Sequence, residues 1–178
     1  MDSTMTVEEI KKLIRNVPDF PKPGIMFRDF TPLIGDARGF AAVVDQLAQP
    51  YIGKVDAVVG IESRGFIVGA PVAYRLGVGL TIARKPGKLP FHTVEQSYEL
   101  EYGSAMLQMH QDAIAGKGRV LLVDDLLATG GTMQATVQLV RQLGGDIAGL
   151  AFAVELDFLK GREKFQEYDV FSLLHYDE

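Results

Sequence analysis

The sequence predicts an α/β protein built on a doubly wound, mainly parallel sheet with helices on both faces. Three observations carry that expectation. Short apolar runs that suit buried strands, such as VDAVVGI, VGLTIA and RVLLV, alternate along the chain with stretches of helical periodicity. Glycines close the helical stretches, at Gly77 and at Gly144 with Gly145. Small and polar residues, ESRG and LLATGG, fill the steps from strand to helix. Strands that alternate with helices imply right-handed crossovers, and those place parallel strands side by side with helices above and below.

Taken in order, Thr6 and Glu9 form a capping-box pattern, and Val7, Ile10, Leu13, Ile14 and Val17 recur at helical spacing, predicting a helix that runs to Pro18. The prolines of PDFPKPGIMFRDFTP exclude regular helix and central strand, so this segment reads as a fixed, irregular loop. Asp36 can cap a second helix with Phe40, Val43, Val44 and Leu47 on one side, ending before Pro50. Residues 55–61 read as a strand, 66–76 as a helix and 78–83 as the next strand. RKPGKLPFHTVEQS is rich in turn formers and reads as a mobile loop, followed by short strands over 98–102 and 105–110 around Gly103. Strand, turn and helix then repeat from Arg119 to Gly145. Residues 147–154 form a further strand, 160–166 a short helix and 170–174 a last strand.

A chain of 178 residues suits one domain, spanning 1–178. With 47% hydrophobic and 23% charged residues it has the composition of a soluble globular protein. The formal charge of −5 argues against nucleic acid or an anionic membrane as partner of the whole molecule, so any anion site must be local. The absence of cysteine excludes disulfides, thiolate metal sites and a cysteine nucleophile. MDSTMTVEEIKK lacks the layout of a signal peptide, and the apolar stretch 66–83 is broken by Pro71, Arg75 and glycines; the expected setting is cytoplasmic.

In such sheets ligands sit beyond the carboxyl ends of the strands. DDLLATGGT occupies one of these ends. Asp124 and Asp125 stand where the backbone is expected to leave the sheet, and Thr129, Gly130, Gly131 and Thr132 lead into a helix. Glycines and hydroxyls at a helix N-terminus make an anion cradle. Carboxylates beside it would repel a phosphate but accept hydrogen bonds from sugar hydroxyls. A phosphate next to a ribose diol meets both demands, while a turn cap and a solvated acid remain the bland alternative. Neither a Walker A loop nor a GxGxxG fingerprint is present.

VLLVDDLLATGGT resembles the phosphoribosyl pyrophosphate (PRPP) motif of type I phosphoribosyltransferases, and DFPKPGIMFRDFTPL, GIESRGF, ARKPGKLP, YELEYG and FSLLHY resemble the adenine-specific branch of that family, in the same order. The resemblance implies transfer of the ribosyl 5-phosphate of PRPP to adenine, giving AMP and pyrophosphate. It also implies Mg²⁺ carried mainly by the pyrophosphate, an N-terminal hood loop, a flexible lid and a homodimer with the Arg64 region near its interface; His92, His110 and His175 have no ligand-like spacing, so no metal held by the protein is expected. By the same resemblance Ala128, Thr129, Gly130, Gly131 and Thr132 hold the 5-phosphate, and Asp124 and Asp125 meet the ribose hydroxyls. Glu62, Ser63 and Arg64 contact pyrophosphate around an expected cis peptide between Glu62 and Ser63. Arg84, Lys85 and Lys88 put three cations opposite the leaving group. Met26, Phe27 and Arg28 receive the adenine, with Phe27 stacking on it, and Glu101 and Tyr102 belong to the lid, Glu101 reaching the purine imidazole nitrogen as acid or base.

Each of these residues also has a plain reading: a solvated basic loop, a surface Arg64, a core Phe27, a solvated Glu101. The rival functions are a phosphoribosyltransferase for another base and a regulator that keeps the PRPP motif as a sensor. A regulator needs a DNA-binding domain, and the residues before Pro18 are too few for one. Enzymes for 6-oxopurines usually carry an aspartate where this chain has Ala128.

Overall fold

The computed structural model describes residues 5–99 and 104–178. The chain divides into two compact units, Met1–Gln46 and Leu47–Glu178. Among the described residues no helix is long and apolar enough to cross a membrane.

The N-terminal unit begins with helix α1 (Val7–Lys11), set by the predicted capping box: the Glu9 N–H donates to Thr6 Oγ1 and the Thr6 N–H to Glu9 Oε2. The helix is shorter than its periodicity suggests. The N–H groups of Leu13 and Ile14 bond three residues back, to Ile10 and Lys11, and the chain then opens into strand β1 (Arg15–Val17). So short a helix has little stability of its own. Strand β2 (Phe27–Asp29) offers β1 an antiparallel partner, with Val17 opposite Phe27 and Arg15 opposite Asp29. The proline-rich segment is therefore irregular only as far as Met26; between Pro23 and Pro32 no proline interrupts the backbone N–H groups, and Phe27–Asp29 can pair. Helix α2 (Thr31–Gly35) was not expected from the sequence. Helix α3 (Ala37–Ala48) was, and the Gly39 N–H donates to Asp36 Oδ1 at 2.7 Å as its predicted cap.

The second unit holds a five-stranded, wholly parallel sheet. In chain order its elements are β3 (Ala57–Ile61), α4 (Arg64–Leu76), β4 (Gly79–Ala83), the hairpin β5 (Thr93–Glu99) and β6 (Ser104–His110), β7 (Arg119–Leu127), α5 (Gly131–Gln142), β8 (Asp146–Leu156) and β9 (Val170–Tyr176). The sheet order is β4, β3, β7, β8, β9. All of β3 is buried, as a parallel strand covered on both sides must be. Alternate residues serve opposite faces. A Cβ on Gly69 of α4 would stand 3.3 Å from the Gly60 Cα and 3.8 Å from the Val123 Cβ. Ala57, Val59, Ile61, Val120 and Leu122 instead join Met133, Val137 and Val140 of α5 in one apolar cluster. Helices thus cover both faces, as the sequence predicts.

Two boundaries differ from expectation. The segment read as a mobile loop up to Ser97 pairs from Thr93 onward, in register from Thr93 opposite His110 to Glu99 opposite Ser104. Its alternation is real but polar: Val94 and Tyr98 turn toward the core cluster while Glu95, Ser97 and Glu99 face solvent. The predicted helix near 160–166 is a pair of 3₁₀ turns, Asp157–Leu159 and Gly161–Phe165, separated by Lys160 at φ 53°.

Candidate active site

Beyond the carboxyl ends of β3 and β7 lies a cavity of about 230 Å³ lined by Glu62, Arg64, Asp124, Asp125 and every residue from Leu126 to Met133. Strand β7 does not leave the sheet at the aspartates, as the sequence suggested. It continues through Leu127 because the long β8 goes on pairing with it, Asp124 opposite Phe152 and Leu127 opposite Glu155. Asp124 and Asp125 are therefore held in a strand, each 8% exposed, and not on a loop. A Cβ on Gly65 would come within 2.6 Å of Asp124 Oδ1, so α4 meets β7 here only because that residue is glycine.

The loop that follows turns at Gly130, whose φ of 80° suits glycine and little else, and which is the N-cap of α5. Among the described residues no side chain caps this helix. Its first N–H groups and the positive end of its dipole face the cavity that Thr129, Gly131 and Thr132 line, an arrangement suited to a phosphate.

Electrostatically the aspartates are unequal. Burial, reinforced by the charge of Asp125, pushes Asp124 well above the usual carboxylate range. Burial raises Asp125 as well, but the Arg64 guanidinium, with Nε 2.8 Å from Asp125 Oδ2, opposes the rise. Asp124 Oδ1 also accepts the Asp125 N–H at 2.9 Å.

The Glu62–Ser63 peptide is cis, as the resemblance implied, and Ser63 precedes the first residue of α4. Glu62 has a role that sequence reasoning missed. Its Oε2 accepts the Lys85 N–H at 2.7 Å and lies 3.3 Å from Arg84 Nε, tying the basic loop to the cavity wall. Arg84 Nη1 reaches the Lys88 carbonyl, and the Gly87 N–H donates to Gln108 Oε1. Lys85 and Lys88 are exposed. The cavity thus gathers Glu62, Arg64, Asp124, Asp125 and Ala128 to Thr132, with Arg84 and Lys85 tethered beside it. In the other unit Phe27 packs edge-on against Phe20, centroids 5.1 Å apart, Arg28 donates to Asn16 Oδ1, and Met26 is exposed. Glu101 and Tyr102 lie outside the described residues.

Residues 33–176 match the model of the phosphoribosyl transferase domain. Over 98% of its length the chain is 64% identical to an adenine phosphoribosyltransferase of Acidobacterium capsulatum, covering 97% of that protein. The chain belongs to the adenine phosphoribosyltransferase family. Solved adenine phosphoribosyltransferases share its fold: that of Thermoanaerobacter pseudethanolicus superposes with a TM-score of 0.91 at 51% identity, covering 96% of this chain and all of that one. The enzyme of Saccharomyces cerevisiae, solved with D-2,5-dideoxy-2,5-imino-altritol 1,6-bisphosphate and adenine, gives 0.88 at 41% identity, over 94% of this chain and 98% of that one.

Behind the phosphoribosyltransferase cavity stands a group that the motifs did not point to. Glu155, at the end of β8, is 3% exposed and paired with Arg162, and Asp157 and His175 lie beside it. The ligand atoms of Glu155, Asp157 and His175 fall within 4.8 Å of one another, but Arg162 engages both oxygens of Glu155, so the cluster is an ion-pair network. The rule that singled out Asp124, an acid at a strand's carboxyl end, would also have found Glu155.

Proposed function

We propose that the chain transfers the 5-phosphoribosyl group of PRPP to adenine, giving AMP and pyrophosphate, and that residues 1–178 act as a single phosphoribosyltransferase domain. One observation carries the reading: a buried aspartate pair and an uncapped helix N-terminus line the same cavity. The 5-phosphate sits on the N–H groups of Ala128 to Thr132, and the ribose diol donates to Asp124 and Asp125. PRPP enters as its magnesium complex, so the metal comes with the substrate and needs no resident site. As the bond from the anomeric carbon to pyrophosphate breaks, negative charge grows on the leaving oxygens. Arg84, Lys85, Lys88 and Arg64 face that charge, Glu62 holding Arg84 and the Lys85 backbone and Asp125 holding Arg64. Preorganised cations at a developing charge lower the barrier without reorganising during the reaction. The oxocarbenium-like carbon is captured by the imidazole nitrogen of adenine, which then loses its proton; Glu101 is assigned to receive it. Phe27 stacks on the base, Met26 and Arg28 present backbone groups to its edge, and Tyr102 closes with the lid. The enzyme is placed in the cytoplasm as a homodimer.

The test is a panel of free purines incubated with PRPP and Mg²⁺. AMP from adenine, with little product from hypoxanthine, guanine or xanthine, is the expected outcome; comparable turnover of a 6-oxopurine would overturn the base assignment, and no nucleotide from any purine would overturn the transferase reading.

A further inference from the structure

The phosphate loop has a wall behind it, and the wall is built from two glycine backbones in direct contact. A Cβ on Gly161 would overlap the Ala128 carbonyl oxygen and stand 3.1 Å from the Gly130 nitrogen. A Cβ on Gly130 would stand 3.0 Å from the Gly161 carbonyl oxygen and 3.0 Å from Phe165 Cε2. The position of the Gly161–Phe165 turn therefore sets the position of Ala128 to Gly130.

Arg162 holds that turn. Its guanidinium donates to Glu155 Oε1 at 3.0 Å, Glu155 Oε2 at 2.5 Å, the Val170 carbonyl at 2.7 Å and Ser172 Oγ at 3.2 Å. The turn is so bolted to β8 through Glu155 and to β9 through Val170 and Ser172. A planar, bidentate fork fixes direction as well as distance, which a lysine ammonium does not. With the Arg162 side chain partly exposed, the pair adds little net stability, so its value here is geometric.

We propose that Glu155 and Arg162 are a positioning pair for the 5-phosphate of PRPP, acting through Gly161 on the Ala128–Gly130 backbone. This rests on the reading of Ala128 to Thr132 as the 5-phosphate cradle. Neither side chain touches the substrate; the pair sets the height of the donors that do. Pyrophosphate, bound on the other side of the cavity, does not depend on it.

The experiment compares Arg162→Lys and the double variant Glu155→Met with Arg162→Met against the parent, reading calorimetric affinity for ribose 5-phosphate, pyrophosphate affinity and Tm. Arg162→Lys keeps the charge and loses the fork, while the double variant removes both charges, so no buried charge is stranded if the lysine variant folds poorly. The expected result is ribose 5-phosphate affinity weakened about tenfold in both variants, the order lost with one hydrogen bond to a charged group, with pyrophosphate affinity unchanged. Unchanged ribose 5-phosphate affinity in either folded variant, or equal weakening of both ligands, would overturn the proposal. Gly130→Ala is the control for the underlying reading: if it too binds ribose 5-phosphate like the parent, the cradle itself is misassigned, whereas its loss beside a normal Arg162→Lys sinks the positioning pair alone.

Discussion

Asp124→Asn should make the protein more stable and a worse binder of PRPP at once. Asparagine is isosteric, which matters where a Cβ on Gly65 would already meet Asp124 Oδ1. It also keeps an oxygen for the Asp125 N–H, bonded at 2.9 Å. What it removes is a carboxylate whose ionised form burial and Asp125 both disfavour. Because the folded protein holds that proton more tightly than the unfolded chain does, stability falls as pH rises from the ordinary carboxylate range through the folded value. The parent should therefore lose stability over that window, and Asp124→Asn should not. Each unit of upward shift costs about 1.4 kcal/mol at pH values above it, and 1 kcal/mol moves Tm by about 2–4 °C in a chain of this size. The two Tm profiles should meet below the usual carboxylate range and separate toward neutral pH, with the variant lying higher. Binding should move the other way, since one hydrogen bond from the ribose diol to a charged acceptor is worth about 1.5–3 kcal/mol, a loss of about 10 to 150-fold in affinity. Scanning calorimetry across pH and titration calorimetry with PRPP measure both. A variant that is less stable at neutral pH and binds PRPP like the parent would refute the reasoning.

Gly130→Ala should raise the KM for PRPP and lower Tm, because a non-glycine residue at φ 80° costs about 1–2 kcal/mol and its Cβ would press on Gly161 and Phe165. Lys88→Ala should lower kcat by about 100 to 1,000-fold with little change in adenine affinity, the loss typical of one donor to developing charge; normal turnover with weaker adenine binding would move Lys88 to the base pocket. Adenine should exceed hypoxanthine by at least about 100-fold in kcat/KM, since the residue before Thr129 is Ala128 and a mismatched buried edge costs about 1–3 kcal/mol per group. Glu101→Gln should reduce kcat while leaving PRPP affinity intact; undiminished turnover would remove Glu101 from proton handling.

The parts of the fold that could be read from the sequence are those whose causes are local. Thr6 with Glu9, Asp36 before α3 and Gly77 after α4 each act within a few residues of the element they bound, and all three stand as expected. The buried strand β3 and residues 120–123 of β7 announce themselves as unbroken apolar runs, since a parallel strand covered on both faces has no solvent side to mark with polar residues. From these followed the doubly wound sheet and the two carboxylates ahead of a glycine turn.

What the sequence left open depends on partners far along the chain. The residues of β1 carry a helical period, and only Phe27–Asp29 decides that they pair as a strand. The length of β8, whose Phe152 and Val154 stand opposite Asp124 and Leu126, keeps the aspartates inside β7 and buries them. Glu62 became the tether of the basic loop because β4 runs beside β3 and returns Lys85 to it. Glu155 and Arg162 became the brace of the phosphate loop because the turn after β8 folds back onto Ala128. Periodicity, caps and glycines report the cost of bending a backbone locally. The raised proton affinity of Asp124 and the direction of each guanidinium arise from burial and from charges brought close by tertiary contact, and those exist only once the strands have chosen their neighbours.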